Sequence, residues 1–309
     1  MPALSVSAQT RLMVVAPHPD DETLGCGLLI QQVLAAGGVV RLLLLTDGDN
    51  NPWPQRFIER RLHMDAVARR CWGQRRRQEV MQAMEQLGLP ASALQPLGWS
   101  DLGLTCRLRD NASGAIAALQ AAMHAFEPSI MACPALTDAH PDHSAAHVLS
   151  RLALAHADPA PLLLAYLVHG HGKTDASAYP ILIDTRVEQQ QRKLQAMAEH
   201  QTQMVLSGKR MRRMALSPER YKQVDLSAGT GCLRWRPPAA LRPWLRLLIV
   251  TPAGAQDWRW SEAPLVRDPD GGFRLSWLPG SSVSGPAFAK LHLDWPSPWI
   301  FDHWGWQAL

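Results

Sequence analysis

Cysteine is scarce in this sequence of 309 residues, and its distribution excludes two kinds of site. The five cysteines lie far apart along the chain, and no two of them form a C-x-x-C pair. Neither a disulfide framework nor a cysteine-type zinc site is therefore expected. Reduced, buried thiols are typical of a cytosolic protein, and we interpret all five cysteines in this way.

Long apolar runs and a large charge imbalance are also missing. A membrane-spanning helix needs about 18 or more apolar residues, and Gln31, Gln32 and Arg41 interrupt the longest candidate. Residues 1–10 lack the basic and apolar regions of a secretory signal. The net charge of +4 is too small to favour nucleic acid as a partner. We expect a cytoplasmic protein without a transmembrane segment, whose membrane contact is at most peripheral, at the inner face.

Motifs of three common enzyme classes are incomplete. Gly-Cys-Gly at 25–27 lacks the third glycine of a dinucleotide-binding fingerprint. Gly-Lys-Thr at 172–174 resembles the end of a P-loop, but Leu167 stands where the first glycine of that loop is required. No G-x-S-x-G sequence marks a serine hydrolase. These absences argue against nicotinamide, nucleotide-hydrolysing and serine-dependent chemistry.

Short apolar runs alternate with stretches of helical periodicity over the first two thirds of the chain. Apolar runs of this length predict strands that are buried on both faces, as in a parallel sheet. The predicted strands are 12–16, 39–46, 129–133 and 162–168. The predicted helices are 24–36, 69–87, 115–126, 144–155 and 184–206. The alternation predicts a Rossmann-like α/β catalytic domain over residues 1–206, with a mostly parallel sheet and helices on both faces.

Tryptophan is concentrated at the end of the chain, where nine of the twelve lie within the last 81 residues. A turn signal at 268–272 precedes an alternation of Phe273, Leu275 and Trp277 with polar residues, which predicts a half-exposed strand. Residues 207–309 are therefore predicted to form a Trp-rich, β-rich appendage. Its tryptophans would build a small core of their own. The alternative is a surface that contacts sugar rings or lipid.

Polar, chemically versatile side chains follow the first predicted strand. Residues 16–22 read Ala-Pro-His-Pro-Asp-Asp-Glu, the first motif. Three adjacent carboxylates would repel one another, and a divalent cation between them would remove that repulsion. The alternative is helix capping, since Asp20 or Asp21 before Leu24 makes a good N-cap.

A second cluster of the same kind follows the predicted strand 129–133. Residues 138–143 read Asp-Ala-His-Pro-Asp-His, the second motif. The carboxyl ends of parallel strands lie at one edge of a sheet, where sites are built. Two imidazoles and one carboxylate are a ligand set of catalytic zinc. Together the two motifs predict a metal site at that edge.

The two motifs resemble those of the PIG-L/LmbE-like family of zinc-dependent de-N-acetylases. The first motif has the form PHxDDE, the second has the form HPDH, and their separation of about 120 residues fits as well. The resemblance covers about residues 10–205. It includes weaker matches at the strand exit 46–48, in the helix segment 76–88 and at 198–203.

The resemblance implies a Rossmann-like enzyme that hydrolyses the acetamide of N-acetylglucosamine-containing substrates. It implies that His18, Asp21 and His143 bind Zn²⁺, with Fe²⁺ as the alternative ion in the cell. It also implies that Asp20 is the general base. The chemistry agrees, because three protein ligands leave zinc free to lower the pKa of a bound water to about 7.

The resemblance further implies that His140 stabilises or protonates the reacting amide and that Asp142 is the carboxylate partner of that imidazole. Arg76 would reach the substrate pocket. We also expect His169 and His171 to face the substrate.

The predicted function is a zinc hydrolase that removes the acetyl group from an N-acetylated amino sugar in a glycan, glycolipid or sugar conjugate. We interpret the basic segments 56–77 and 209–213 first as solvated helix faces. The alternative is a basic rim that attracts an anionic or lipid-linked substrate. Two alternatives are a zinc amidase for another N-acyl substrate, such as a thiol conjugate or an acylated glycopeptide, and a non-catalytic glycan- or lipid-binding protein.

Overall fold

The computed structural model describes residues 4–170, 177–227, 231–276, 285–293 and 304–309. Its contacts divide the chain into two compact units. The first unit comprises Met1–Gly103, Met123–Pro134 and Pro161–Val224, and the second comprises Leu104–Ala122, Ala135–Ala160 and Asp225–Leu309.

A seven-stranded sheet forms the centre of the first unit. Its strands are β1 (Arg11–Ala16), β2 (Val39–Thr46), β3 (Leu94–Trp99), β4 (Ile130–Pro134), β5 (Leu162–Tyr166), β6 (Ile181–Leu182) and β7 (Arg220–Gln223), in the order β3-β2-β1-β4-β5-β7-β6. The pairs from β3 to β5 are parallel, whereas β7 runs antiparallel to β5 and β6. Because β1 and β4 are parallel neighbours, the segments that follow them leave the same edge of the sheet.

The helices confirm the predicted fold class, a mostly parallel α/β arrangement. They are α1 (Asp21–Ala35), α2 (Pro52–Glu59), α3 (Ala66–Gln86), α4 (Leu104–Phe126), α5 (Pro141–Ala153), α6 (Val187–Glu199) and α7 (Gln201–Ala215). The helix expected at 184–206 is thus two helices that meet at His200, and the predicted domain boundary at residue 206 lies within α7 of the first unit. In the described part of the chain, no helix combines the length and the apolar character needed to cross a membrane.

The two glycines of α1 allow bulky side chains to approach its backbone. A Cβ atom at Gly25 would lie 2.5 Å from the ring of Tyr166, and one at Gly27 would lie 3.1 Å from the side chain of Lys193. The Tyr166 hydroxyl donates a hydrogen bond to the carbonyl of Val15 in β1. The Gly-Cys-Gly sequence therefore serves close packing of α1.

The second unit contains the β-rich segment that the tryptophan-rich tail predicted. Its strands are β8 (Cys232–Leu233), β9 (Leu245–Thr251), β10 (Gly254–Arg259), β11 (Leu265–Arg267), β12 (Phe273–Leu275), β13 (Phe288–Leu293) and β14 (Trp306–Ala308). They form two antiparallel sheets, β10-β9-β13-β14 and β11-β12-β8. Trp260 packs edge-on against Phe273, with ring centroids 4.9 Å apart, in the core of this region. Trp277 lies outside the described residues.

Candidate active site

The first motif begins directly after β1 and places the imidazole of His18 between two carboxylates. His18 Nδ1 lies 3.3 Å from Oδ2 of Asp21, and His18 Nε2 lies 3.1 Å from Oδ1 of Asp101. All three side chains are buried. Burial would raise the pKa of Asp101, but the charge and hydrogen bond of His18, with Arg76 and the backbone of Asn50, together lower that pKa below its usual value. A histidine with a carboxylate at each ring nitrogen has its ring orientation fixed.

Sequence reasoning did not find Asp101. It follows β3 by two residues, and β3 was itself not predicted because Pro96 and Gly98 are unfavourable in a strand. The backbone N–H of Asn50 donates a hydrogen bond to the carboxylate of Asp101. The backbone N–H of Asp101 in turn donates to the carboxylate of Asp49. The segments after β2 and β3 are thereby joined beside the first motif.

Asp20 adopts a backbone conformation that is unusual for a residue other than glycine, with φ of 108°. It occupies the N-cap position of α1, yet its side chain makes no capping hydrogen bond. Its carboxylate Oδ2 instead lies 3.6 Å from Nη2 of Arg76. Burial raises the pKa of Asp20 to about 7, with Arg76 acting against this and Asp21 adding to it. A carboxylate with such a pKa is suited to general base catalysis near neutral pH.

Arg76 holds the backbone of the first motif. Its Nη2 donates to the carbonyl of Pro19 at 2.7 Å, and its Nη1 donates to the carbonyl of Gly48 at 2.8 Å. Gly48 has φ of +60°, and a Cβ atom there would lie 1.8 Å from the guanidinium, so only glycine fits. Arg76 is buried and in contact with protein oxygens. The predicted contact of Arg76 with substrate stays a prediction.

Glu22 and His200 form a second buried pair at the start of α1. Oε1 of Glu22 lies 2.9 Å from Nε2 of His200, and both side chains are fully buried. Burial would raise the pKa of Glu22, but the charge and hydrogen bond of His200, with the hydrogen bonds from Thr23 and Asp20, together lower it. Conversely, burial would lower the pKa of His200, but the charge and hydrogen bond of Glu22 and the charges of Asp20 and Glu79 together raise it. The segment 198–203 thus supplies a partner for the first motif that its weak sequence match did not reveal.

The second motif lies at the start of α5 and is organised by Asp138. Asp138 Oδ1 accepts a hydrogen bond from the backbone of His140 at 2.9 Å, and its Oδ2 lies 3.2 Å from Nδ1 of His143. The backbone N–H of Asp142 donates to Nδ1 of His140 at 3.2 Å. The carboxylate of Asp142 accepts a hydrogen bond from the backbone N–H of Leu104 at 3.0 Å. Asp138 therefore supports the histidines, a role that the sequence reasoning missed. Catalytic roles for His140 and Asp142 stay predictions.

Histidine and aspartate side chains that could hold a metal ion are present in the described residues. In the first unit they are His18, Asp21, Asp101 and His169, and in the second unit they are His140, Asp142 and His143. Ligand atoms of Asp21 and His169 lie within 4.8 Å of each other, as do those of His140 and His143. Imidazole and carboxylate donors of this kind fit Zn²⁺ and Fe²⁺.

Two further histidines, His169 and His171, were predicted to face the substrate. His169 Nδ1 lies 3.4 Å from Nη2 of Arg210, which projects from α7. This contact places a cation beside a histidine that is itself close to Asp21. His171 lies outside the described residues. Contact of either histidine with substrate stays a prediction.

Residues 13–154 match the PIG-L family, described as GlcNAc-PI de-N-acetylase. The matched segment runs from β1 to the end of α5 and contains both motifs. This match confirms the resemblance to the PIG-L family that the two motifs predicted. No curated protein matches the sequence.

Solved structures share the fold. An N,N'-diacetylchitobiose deacetylase from Pyrococcus horikoshii is 17% identical with a TM-score of 0.55, over 70% of this chain and 84% of that chain. A deacetylase of the teicoplanin biosynthesis pathway is 17% identical with a TM-score of 0.52, over 69% of this chain and 96% of that chain. The conserved protein TT1542 from Thermus thermophilus is 26% identical with a TM-score of 0.48, over 69% of this chain and 92% of that chain. The first two establish the fold of the matched region.

Proposed function

We propose that this chain is a metal-dependent hydrolase that removes the acetyl group from an N-acetylglucosamine-type amino sugar in a glycan, glycolipid or sugar conjugate. The observation that carries the proposal is a PIG-L domain in which a His/Asp motif follows each of two neighbouring parallel strands. Support for the substrate class comes from proteins of the same fold, which include a diacetylchitobiose deacetylase and a deacetylase of the teicoplanin pathway.

We propose that His18, Asp21 and His143 bind the ion. His18 and Asp21 follow β1, and His143 follows β4, the strand that pairs with β1. Two imidazoles and one carboxylate form a catalytic zinc donor set, and Fe²⁺ accepts the same donors. When bound, such an ion would lower the pKa of a water molecule and polarise the amide carbonyl.

The protein groups around the reacting amide would each have a separate role in the hydrolysis. Asp20, beside a ligand and held by Arg76, would take the proton from water and return it to the departing amine. His140 would stabilise the negative charge that develops on the amide oxygen, or protonate the amine, with Asp142 beside it. These roles require that the Asp20 carboxylate does not coordinate the metal.

The direct test is an assay of the full-length protein on N-acetylglucosamine lipids, nucleotide sugars and diacetylchitobiose. We expect equal amounts of acetate and primary amine from at least one of them. Chelation should abolish the release and added Zn²⁺ should restore it, because the amide is a poor electrophile without the ion. Release of neither product from any substrate would contradict the proposed function, and full activity after metal removal would contradict the metal requirement. Faster release of a longer acyl group would favour the amidase alternative.

A further inference from the structure

The carboxylate of Glu22 connects the backbone of the general base to a residue that is distant in sequence. Its Oε2 accepts a hydrogen bond from the backbone N–H of Asp20 at 3.0 Å. Its Oε1 accepts from the hydroxyl of Thr23 at 2.6 Å and lies 2.9 Å from Nε2 of His200. All these side chains are buried. A carboxylate that is bound on both sides has no freedom to rotate away from Asp20.

Asp20 needs such support because its backbone conformation is unfavourable for an aspartate. Strained backbone persists only where the surrounding contacts hold it. Arg76 holds the preceding carbonyl of Pro19, and Glu22 holds the N–H of Asp20 itself. His200 lies at the junction of α6 and α7, so two helices far along the chain fix the far side of the Glu22 carboxylate.

A different buried pair holds the middle of α1 and gives a matched comparison. Lys193 Nζ donates to Oε1 of Glu219 at 2.6 Å and to the carbonyl of Leu24 at 3.0 Å. Glu219 also accepts from the backbone N–H groups of Leu28 and Leu29. Both pairs join a fully buried cation-forming side chain to a buried glutamate beside α1. These hydrogen bonds of the Lys193–Glu219 pair reach the helix and not the backbone of Asp20.

We propose that Glu22 and His200 are positioning residues that fix the backbone of Asp20 and so aim its carboxylate at the reacting water. The proposal depends on the proposed function, in which Asp20 is the base. It assigns a role to the Ala-Glu-His-Gln segment at 198–201 that the metal and substrate assignments leave without one. His200 acts on the reaction only through Glu22.

The kinetic test compares His200→Leu with Glu219→Gln, which weakens the other buried pair. A misplacement of a catalytic group by about 1 Å can cost about 100-fold in rate. We therefore expect kcat of His200→Leu to fall about 100-fold with KM and metal content unchanged. His200→Gln, which keeps an N–H donor toward Glu22, should recover most of that loss. Glu219→Gln should lower the melting temperature and leave kcat near the wild-type value.

An exchange measurement keeps the proposal testable if no substrate is turned over. In the metal-free protein, the amide hydrogen of Asp20 should exchange with solvent at least about tenfold faster in His200→Leu than in wild type or in Glu219→Gln. Equal exchange rates in the three proteins would overturn the proposal, whatever the activity. A loss of kcat that is the same in His200→Leu and Glu219→Gln would also overturn it. Lack of deacetylation by the wild type, with the expected exchange, would overturn the proposed function alone.

Discussion

The two His/Asp motifs are held in place by contacts of different range. The first motif depends on residues far away in the chain, since Asp101 contacts His18, Arg76 holds Pro19 and His200 contacts Glu22. The histidines of the second motif are supported locally by Asp138. The second motif also begins a regular helix, whereas the first contains the strained Asp20. The difference teaches that the motif with the proposed general base depends on long-range packing, whereas the histidines of the second motif are supported by a near neighbour in the chain.

The largest effect is expected at Asp20, the strained residue of the first motif. Asp20→Asn removes the proton acceptor, and we expect kcat to fall about 1,000-fold, in the range typical of general base catalysis. Metal content should not change, because Asp20 is proposed not to be a ligand. Steady-state kinetics together with metal analysis checks this. Loss of the ion in Asp20→Asn would mean that the ligand and base assignments of Asp20 and Asp21 are exchanged.

A smaller effect with a defined pH dependence is expected at Arg76. The base is active above its pKa, and activity is lost as the pH falls through that pKa. Arg76→Met removes the cation that opposes burial, so the pKa of Asp20 should rise and the ascending limb of kcat/KM should move to higher pH. If the pKa of Asp20 rises by about one unit, kcat/KM at a given pH on the ascending limb falls about tenfold.

Arg77→Met is the matched control for this change. Arg77 neighbours Arg76 on α3, but its guanidinium pairs with the carboxylate of Asp47. Its pH profile of kcat/KM should therefore coincide with that of the wild type. A shift of the limb to lower pH in Arg76→Met, or an equal shift in both variants, would contradict the role given to Arg76.

The sequence predicted what depends on local pattern. Buried apolar runs predicted β1, β2 and β4, and the two motifs follow β1 and β4 as the sequence predicted. The alternation at Phe273 predicted β12 in the second unit. These features are determined by neighbours in the chain, so a single sequence is sufficient for them.

The partners of the first motif could not be predicted in the same way. Asp101 follows β3, an edge strand that contains proline and glycine, and His200 breaks what looked like one helix. Which carboxylate meets which imidazole is decided by tertiary packing across as many as 178 residues. The burial of Arg76 could not be predicted from the sequence either, because its arginine neighbours suggest an exposed basic face.

The central claim is that the two motifs share one metal ion, and metal binding tests it most directly. Zn²⁺ content should be measured after dialysis for the wild type, His18→Ala, His143→Ala and His140→Ala. The account predicts one ion per chain for the wild type and for His140→Ala, and loss of the ion in both His18→Ala and His143→Ala. Wild-type binding retained by either His18→Ala or His143→Ala would contradict the account.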